Sequence, residues 1–208
     1  MLEVRWHGRG GQGAKTAALL LGEAAAAAGK KIQAFPEYGP ERMGAPVTSY
    51  NRISDGEITL HCGVTNPNFV VVLDGSLINT GNVTEGMASD GVIVVNSSQS
   101  PEEIREKLGL GPESQVRVYT VDANTIAQET IGRAIPNTPM LGALIRTTGV
   151  LELDELLRDT QEKLEKKFRD KPEIVQGNLA AIRRAYDEVR GDGQGSQLPH
   201  QKEGSANG

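Results

Sequence analysis

The apolar positions of the chain follow two rhythms. Continuous apolar runs stand at Phe69–Leu73 (FVVVL) and Val92–Val95 (VIVV), and such runs predict strands covered on both faces. Leu2–His7 (LEVRWH), Lys31–Phe35 and Val116–Val121 read as further strands, the last of them closing the series. Elsewhere the pattern turns helical. Ala14–Ala28 is rich in alanine and leucine and stops at Gly29, as a helix should. Ser76–Gly86 predicts a short helix or turn, and Ala123–Gly132 a helix. Pro101–Leu108 predicts a helix with Ser100 as its cap and Pro101 at its first position. Asn137-Thr138-Pro139 starts a helix over MLGALIRTTG. Leu153–Phe168 is amphipathic with Glu and Lys at helical spacing, and Pro172–Arg190 predicts one more helix. Val47–Ile53 and Glu57–His61 flank Ser54-Asp55-Gly56, which predicts a β-hairpin.

Strands alternating with helices make this an α/β chain. With the hairpin, the expected architecture is a three-layer α/β/α domain. Its sheet is mixed but mainly parallel, and its C-terminal third is helical. Residues 1–190 make up that domain. Residues 191–208 (GDGQGSQLPHQKEGSANG) have the composition of a linker. They cannot bury enough surface to fold alone, so they are expected to dock on a partner.

Charge and composition narrow the function. Lys+Arg number 22 and Asp+Glu 27, a net charge of −5; a nucleic-acid binder usually carries a basic stripe instead. Aromatics are 4% of the chain, too few for base-stacking platforms. Cys62 is the single cysteine. It can form no intrachain disulfide, and an iron–sulfur cluster needs about four thiolates. Gly22 and Glu23 interrupt the apolar stretch Ala17–Ala28, which is too short to span a membrane. Glu3 and Arg5 interrupt the N-terminus, which does not read as a secretory leader. A cytoplasmic location is the expectation.

The candidate chemistry begins at the turn Gly8–Gly13 (GRGGQG), between a strand and a helix. Gly8, Gly10 and Gly13 fit the dinucleotide fingerprint, in which glycines let the backbone approach a pyrophosphate. The ribose-binding acid of that motif should follow at a strand end, whereas Glu37 lies past Pro36 in a loop. Lys15-Thr16 nearly completes a nucleotide-triphosphate loop. One extra residue, Ala14, turns the lysine by about 100°. Leu73-Asp74 is the available acid-terminated strand for that reading. The third reading is close packing of strand on helix. Four glycines in six residues exceed what packing alone needs, since each loses extra entropy on folding.

A second candidate is the loop EYGPERMGAPV, where Pro36, Gly39, Pro40 and Pro46 hold Tyr38, Glu41, Arg42 and Met43 on fixed turns. A solvated loop reads equally well there. His61-Cys62 is adjacent on an expected strand, so the two side chains point apart and cannot chelate simply. The local sequence shows no electropositive surroundings for Cys62. Trp6 and His7 read as packing residues. No Ser/His/Asp arrangement, paired carboxylates or metal-ligand spacing is visible.

Four stretches carry a resemblance: VRWHGRGGQGAKTAA, QAFPEYGPERMGAPVTSYNRIS, FVVVLD and NTPMLGAL. Together they resemble the gamma subunit of 2-oxoacid:ferredoxin oxidoreductases, of the pyruvate type, over residues 1–190. The resemblance implies a multisubunit enzyme with alpha, beta and delta-type subunits. It oxidatively decarboxylates a 2-oxoacid on thiamine diphosphate and Mg, transfers the acyl group to coenzyme A, and passes electrons through 4Fe–4S clusters to ferredoxin. Other subunits carry those cofactors, so this chain is not active alone and has neither catalytic residues nor a metal of its own. The turn residues Gly8, Arg9, Gly10, Gly11, Gln12, Gly13 and Lys15 would face the shared active site or the coenzyme A path. Glu37, Tyr38, Glu41, Arg42 and Met43 would form an interface or active-site loop. Relatives act on pyruvate, branched 2-oxoacids, indolepyruvate, 2-oxoglutarate or phenylglyoxylate, and aryl members use NAD through an added flavin subunit. The tail after Arg190 exceeds the usual gamma domain. The alternative is a free-standing NAD-binding, Rossmann-like oxidoreductase.

Overall fold

A computed structural model of the chain describes residues 1–37, 44–80 and 82–192. Strand β1 (Leu2–Arg9) runs through the glycine turn into helix α1 (Ala14–Ala27), then β2 (Lys31–Pro36) and β3 (Pro46–Ser54). There follow β4 (Phe69–Val72), α2 (Leu77–Thr80), β5 (Val92–Asn96), α3 (Pro101–Lys107), β6 (Arg117–Val121) and α4 (Ala123–Ile131). Helices α5 (Asn137–Thr148), α6 (Leu153–Lys167) and α7 (Pro172–Glu188) precede a short β7 (Arg190–Gly191). The strand order is β2-β3-β1-β4-β5-β6-β7. β1, β4, β5 and β6 are parallel neighbours, β3 runs antiparallel between β2 and β1, and β7 is antiparallel to β6.

The apolar strands are buried on both faces, as their continuous pattern requires. Val71, Leu73, Val92 and Val94 face the larger core with α1 and α4–α7. Val70, Val72, Ile93 and Val95 face the smaller one with α2 and α3. The result is a three-layer arrangement around a mixed sheet, parallel through β1, β4, β5 and β6 and antiparallel toward both edges, with a helical C-terminal third.

Local chemistry sets the element ends. α1 stops in a Schellman motif: Gly29 takes φ +82, and the Gly29 and Lys30 N–H groups donate to Ala26 O and Ala25 O at 3.0 Å each. α3 starts in a capping box. Ser100 Oγ accepts from Glu103 N at 3.2 Å, and Ser100 N donates to Glu103 Oε2 at 2.8 Å. α5 and α7 touch backbone to backbone, because a Cβ on Gly142 would run into the Ile182 carbonyl.

Two expectations fail. The hairpin does not form: β3 has β2 on one edge and β1 on the other, which leaves no edge for Glu57–His61. That segment leaves the sheet and lies over it instead, with Gln33 Nε2 donating to Leu60 O at 2.9 Å. Nor is β6 the last strand, since β7 pairs with it. The chain beyond β7 is held at Asp192, 2% exposed, which accepts from Arg105 Nη1 at 2.8 Å. The described fold therefore runs to Asp192, and residues 193–208 lie outside the described residues.

Candidate functional site

β1 and β4 are parallel neighbours whose following helices go to opposite faces of the sheet: α1 to the larger core, α2 to the smaller. Such a switch point opens a crevice at the carboxyl ends of the strands, where ligands bind in open α/β sheets. The glycine turn forms one lip of it and residues 73–76 the other.

The turn is held by its own bonds. Arg9 N–H donates to Gln12 Oε1 at 2.7 Å, Gln12 N–H to Arg9 O at 3.0 Å, and Gly10 N–H to Ala45 O at 2.9 Å. The glycines differ in purpose. Gly11 has φ +96 and open space where a Cβ would stand. Gly13 has φ +83, and its Cβ would meet the Asn137 carboxamide at 2.8 Å. Gly13 thus combines a left-handed backbone with close approach of the α5 start, while Gly11 faces outward.

Side chains tie the two lips together. Arg9 Nε stands 3.2 Å from Asp74 Oδ2, Arg9 Nη2 donates to Ser76 Oγ at 3.0 Å, and Gln12 Nε2 donates to Asp74 Oδ2 at 2.8 Å. Asp74 Oδ1 accepts from Ser76 N at 3.0 Å and Ser76 Oγ at 2.6 Å. Burial pushes the Asp74 carboxyl up, but the bonds from Ser76 and Gln12 and the Arg9 charge outweigh it, so it sits below its ordinary value.

Arg9 and Gln12 are therefore engaged within the protein. Lys15 is exposed on the first turn of α1 and makes no hydrogen bond or ion pair among the described residues. α1 begins with no side-chain cap and no acidic residue in its first turn, so its N-terminal partial charge is not offset locally. Glu37 belongs to a separate cluster, accepting from Tyr50 Oη at 2.9 Å. Burial, then the bond to Glu37 and its charge, push the Tyr50 hydroxyl up to about 12. Tyr38, Glu41, Arg42 and Met43 lie outside the described residues.

Trp6 is fully buried, its Nε1 donating to Asn51 Oδ1 at 2.8 Å. His7 Nε2 accepts from Arg5 Nε at 2.9 Å. Residues 57–61 are not a strand, so the geometric reason given for separating His61 from Cys62 does not hold; no metal-holding group of three His, Cys, Asp or Glu occurs among the described residues. Cys62 does have an electropositive neighbour: Arg52 Nη2 is 3.8 Å from its Sγ. Asn137 was not legible as a neighbour of Gly13, because that contact joins distant parts of the chain; Arg5 and His7, two residues apart on one face of β1, were within reach of the strand's alternation. Asp74 left one signal, an acid at the carboxyl end of an apolar strand.

The model of the pyruvate ferredoxin/flavodoxin oxidoreductase family matches residues 3–188. Pyruvate synthase subunit PorC of Thermotoga maritima is 46% identical over 188 residues, 90% of this chain and 94% of that one. The pyruvate/ketoisovalerate oxidoreductases common subunit gamma of Pyrococcus abyssi is 43% identical, over 91% of this chain and 98% of its own length. The crystal structure of the Thermotoga maritima pyruvate oxidoreductase subunit PORC matches with a TM-score of 0.79 and 44% identity, covering 92% of this chain and 98% of that one. The fold also covers 30% of a chain of the 2-oxoglutarate:ferredoxin oxidoreductase of Magnetococcus marinus, at TM-score 0.69 and 22% identity. These near full-length matches overturn the alternative of a free-standing NAD-binding oxidoreductase. The chain belongs to the pyruvate ferredoxin/flavodoxin oxidoreductase family, as a gamma-type subunit of an oxidoreductase complex.

Proposed function

We propose that this chain is the gamma subunit of a complex that converts pyruvate and coenzyme A to acetyl-CoA and CO2, with electrons passing to ferredoxin. The observation that carries the reading is 46% identity to a pyruvate synthase subunit along 94% of that subunit's length. Thiamine diphosphate with Mg, and the 4Fe–4S clusters, are assigned to alpha, beta and delta-type partners. One cysteine cannot ligate such a cluster, so these residues do not fit it. The Pyrococcus abyssi relative is named as common to pyruvate and ketoisovalerate oxidoreductases. A gamma subunit shared in that way does not choose between the two acids, so we assign substrate choice here to the partner chains.

The glycine turn is assigned to a phosphate group of coenzyme A. Support comes from its place at the switch point, the uncapped start of α1, and the exposed Lys15, which has no partner among the described residues. Gly8, Gly10 and Gly13 shape the turn, Arg9 and Gln12 brace it, and Gly11 and Lys15 face the ligand.

Purified complex, assayed with pyruvate, ketoisovalerate and phenylglyoxylate in turn, tests the reading. Coenzyme A-dependent reduction of ferredoxin should be fastest with pyruvate and absent from the isolated chain. A complex that turns over only an aryl acid, or that reduces NAD through a flavin subunit, contradicts the substrate assignment.

A further inference from the structure

Four Asp–Gly steps occur in the chain, at Asp55-Gly56, Asp74-Gly75, Asp90-Gly91 and Asp192-Gly193. Such a step can react with itself. Glycine has no side chain to keep its backbone nitrogen away from the preceding carboxyl, and its backbone turns freely. Whether nitrogen and carboxyl meet depends on what holds each of them, and the fold restrains three of the four steps.

Asp74 is fixed at both oxygens. Oδ1 accepts from Ser76 N at 3.0 Å and Ser76 Oγ at 2.6 Å, and Oδ2 accepts from Gln12 Nε2 at 2.8 Å. The carboxyl is therefore turned onto Ser76, one residue past the nitrogen it would have to meet. Gly91 is buried, its N–H donating to Ala88 O at 2.9 Å and its O accepting from Arg117 N at 3.0 Å. Met87 Cε, Ala88 O and Asn68 O crowd it. Asp192 is buried, its Oδ2 accepting from Arg105 Nη1 at 2.8 Å and Val118 N at 3.3 Å.

Asp55-Gly56 stands apart. It follows Ser54, whose pairing with Lys31 ends the β2–β3 ladder. The Asp55 side chain is 91% exposed. Gly56 is exposed too, and a Cβ there would meet nothing within 4 Å. Its N–H makes a long bond to Ser54 Oγ at 3.3 Å. The restraint on the carboxyl is Lys30, whose Nζ donates to Oδ1 at 2.8 Å. That bond, and then the Lys30 charge, hold the carboxyl below its ordinary value, with the chain's amino terminus adding a smaller part.

We propose that Asp55 is a site of spontaneous isoaspartate formation, open to an isoaspartate-specific carboxyl methyltransferase, and that Lys30 restrains the reaction. Gly56 N bonds to Asp55 Cγ. The amide proton and the carboxyl OH leave as water, which closes a five-membered succinimide. Water then adds to the ring carbonyl that was the Asp55 main-chain carbonyl, and its bond to Gly56 N breaks. The main chain now passes through Cγ, and the former main-chain carbonyl carbon is a free carboxylate. No electron is transferred and the mass is unchanged. A carboxylate must be protonated before its oxygen can leave as water, so an ammonium that keeps it ionised slows the closure. The product adds one carbon to the main chain just past the ladder. The fold survives there, and the altered residue accumulates with age.

The test ages the purified complex at neutral pH and digests it. β-Linked aspartate is mapped by peptide separation and by methyl transfer from S-adenosylmethionine under an isoaspartate-specific methyltransferase. The Asp55 peptide should gain a second form of identical mass that accepts methyl groups, several-fold more abundant than any such form of the Asp74 or Asp90 peptides. Lys30→Gln should raise the rate several-fold. Gly56→Ala, which has room for its methyl group, should lower it several-fold with thermal unfolding unchanged. Asn207-Gly208, outside the described residues, reaches isoaspartate by losing ammonia, and its gain in mass separates it on the map. No isoaspartate at Asp55, as much at Asp74 or Asp90, or an unchanged rate in Lys30→Gln overturns the proposal.

Discussion

Arg9 Nε and Asp74 Oδ2 meet at 3.2 Å across the gap between the carboxyl ends of β1 and β4. One belongs to the glycine turn and the other to the loop that starts toward α2, so the pair fixes the width of the crevice. Both side chains are partly exposed, at 31% and 20%. Exposed pairs contribute little, so Asp74→Asn should cost about 1 kcal/mol. The carboxyl sits below its ordinary value. A depressed pKa gives stability that is complete above the unfolded value and is lost as pH falls through the folded one. Urea unfolding should therefore show the wild-type advantage in full near pH 6 and shrinking below about pH 4.

The glycines of the turn should separate by substitution. Gly11→Ala meets no atom but must hold φ +96, which costs about 1–2 kcal/mol. Gly13→Ala carries the same backbone strain and also displaces Asn137, so it should cost more. In the assembled complex Gly11→Val should raise the KM for coenzyme A several-fold while the subunit stays folded. Unfolding of the variant with no separable kinetic defect points to a packing role alone.

His7 should make the fold acid-sensitive. Burial, and then the Arg5 charge, hold its imidazole down to about 4. The unfolded chain takes up that proton near pH 6.5, so stability is complete above that value and falls as pH drops toward 4. His7→Gln keeps an acceptor for Arg5 and removes the titration. Wild type should lose more stability than His7→Gln between about pH 7.5 and about pH 4.5. Equal losses contradict the neutral, buried imidazole.

The elements were more legible than their neighbours. Phe69–Leu73, the α1 run and the Ser100 cap declare themselves locally, through apolar pattern and capping chemistry. A strand's partners do not. The Ser54-Asp55-Gly56 turn signal is real, and these residues do end β3, but β1 and β2 already occupy both edges. The acid at Asp74 could be seen; its ion pair with Arg9 could not, because it depends on which strands lie side by side. Asn137 against Gly13 and Arg52 beside Cys62 are hidden for the same reason.

α5 and α7 should tolerate no added carbon where they cross. Gly142→Ala drives a methyl group into the Ile182 carbonyl, and overpacking of this kind costs about 1–3 kcal/mol or more. A matching loss is expected at Asn51→Leu. It leaves buried Trp6 Nε1 without its acceptor, at about 1–3 kcal/mol for the orphaned N–H, and removes the bond that Ala18 O accepts beside its place in the α1 ladder. Thermal unfolding of each variant checks both values.

Depletion and add-back of this chain tests its role in the oxidoreductase most directly. The complex is stripped of the subunit, and pyruvate- and coenzyme A-dependent ferredoxin reduction is measured before and after the purified chain is returned. Activity should fall to background on removal and return in proportion to the chain added, up to one stoichiometric equivalent. Full turnover by the stripped complex, or turnover by the chain on its own, contradicts a gamma subunit that works only in assembly.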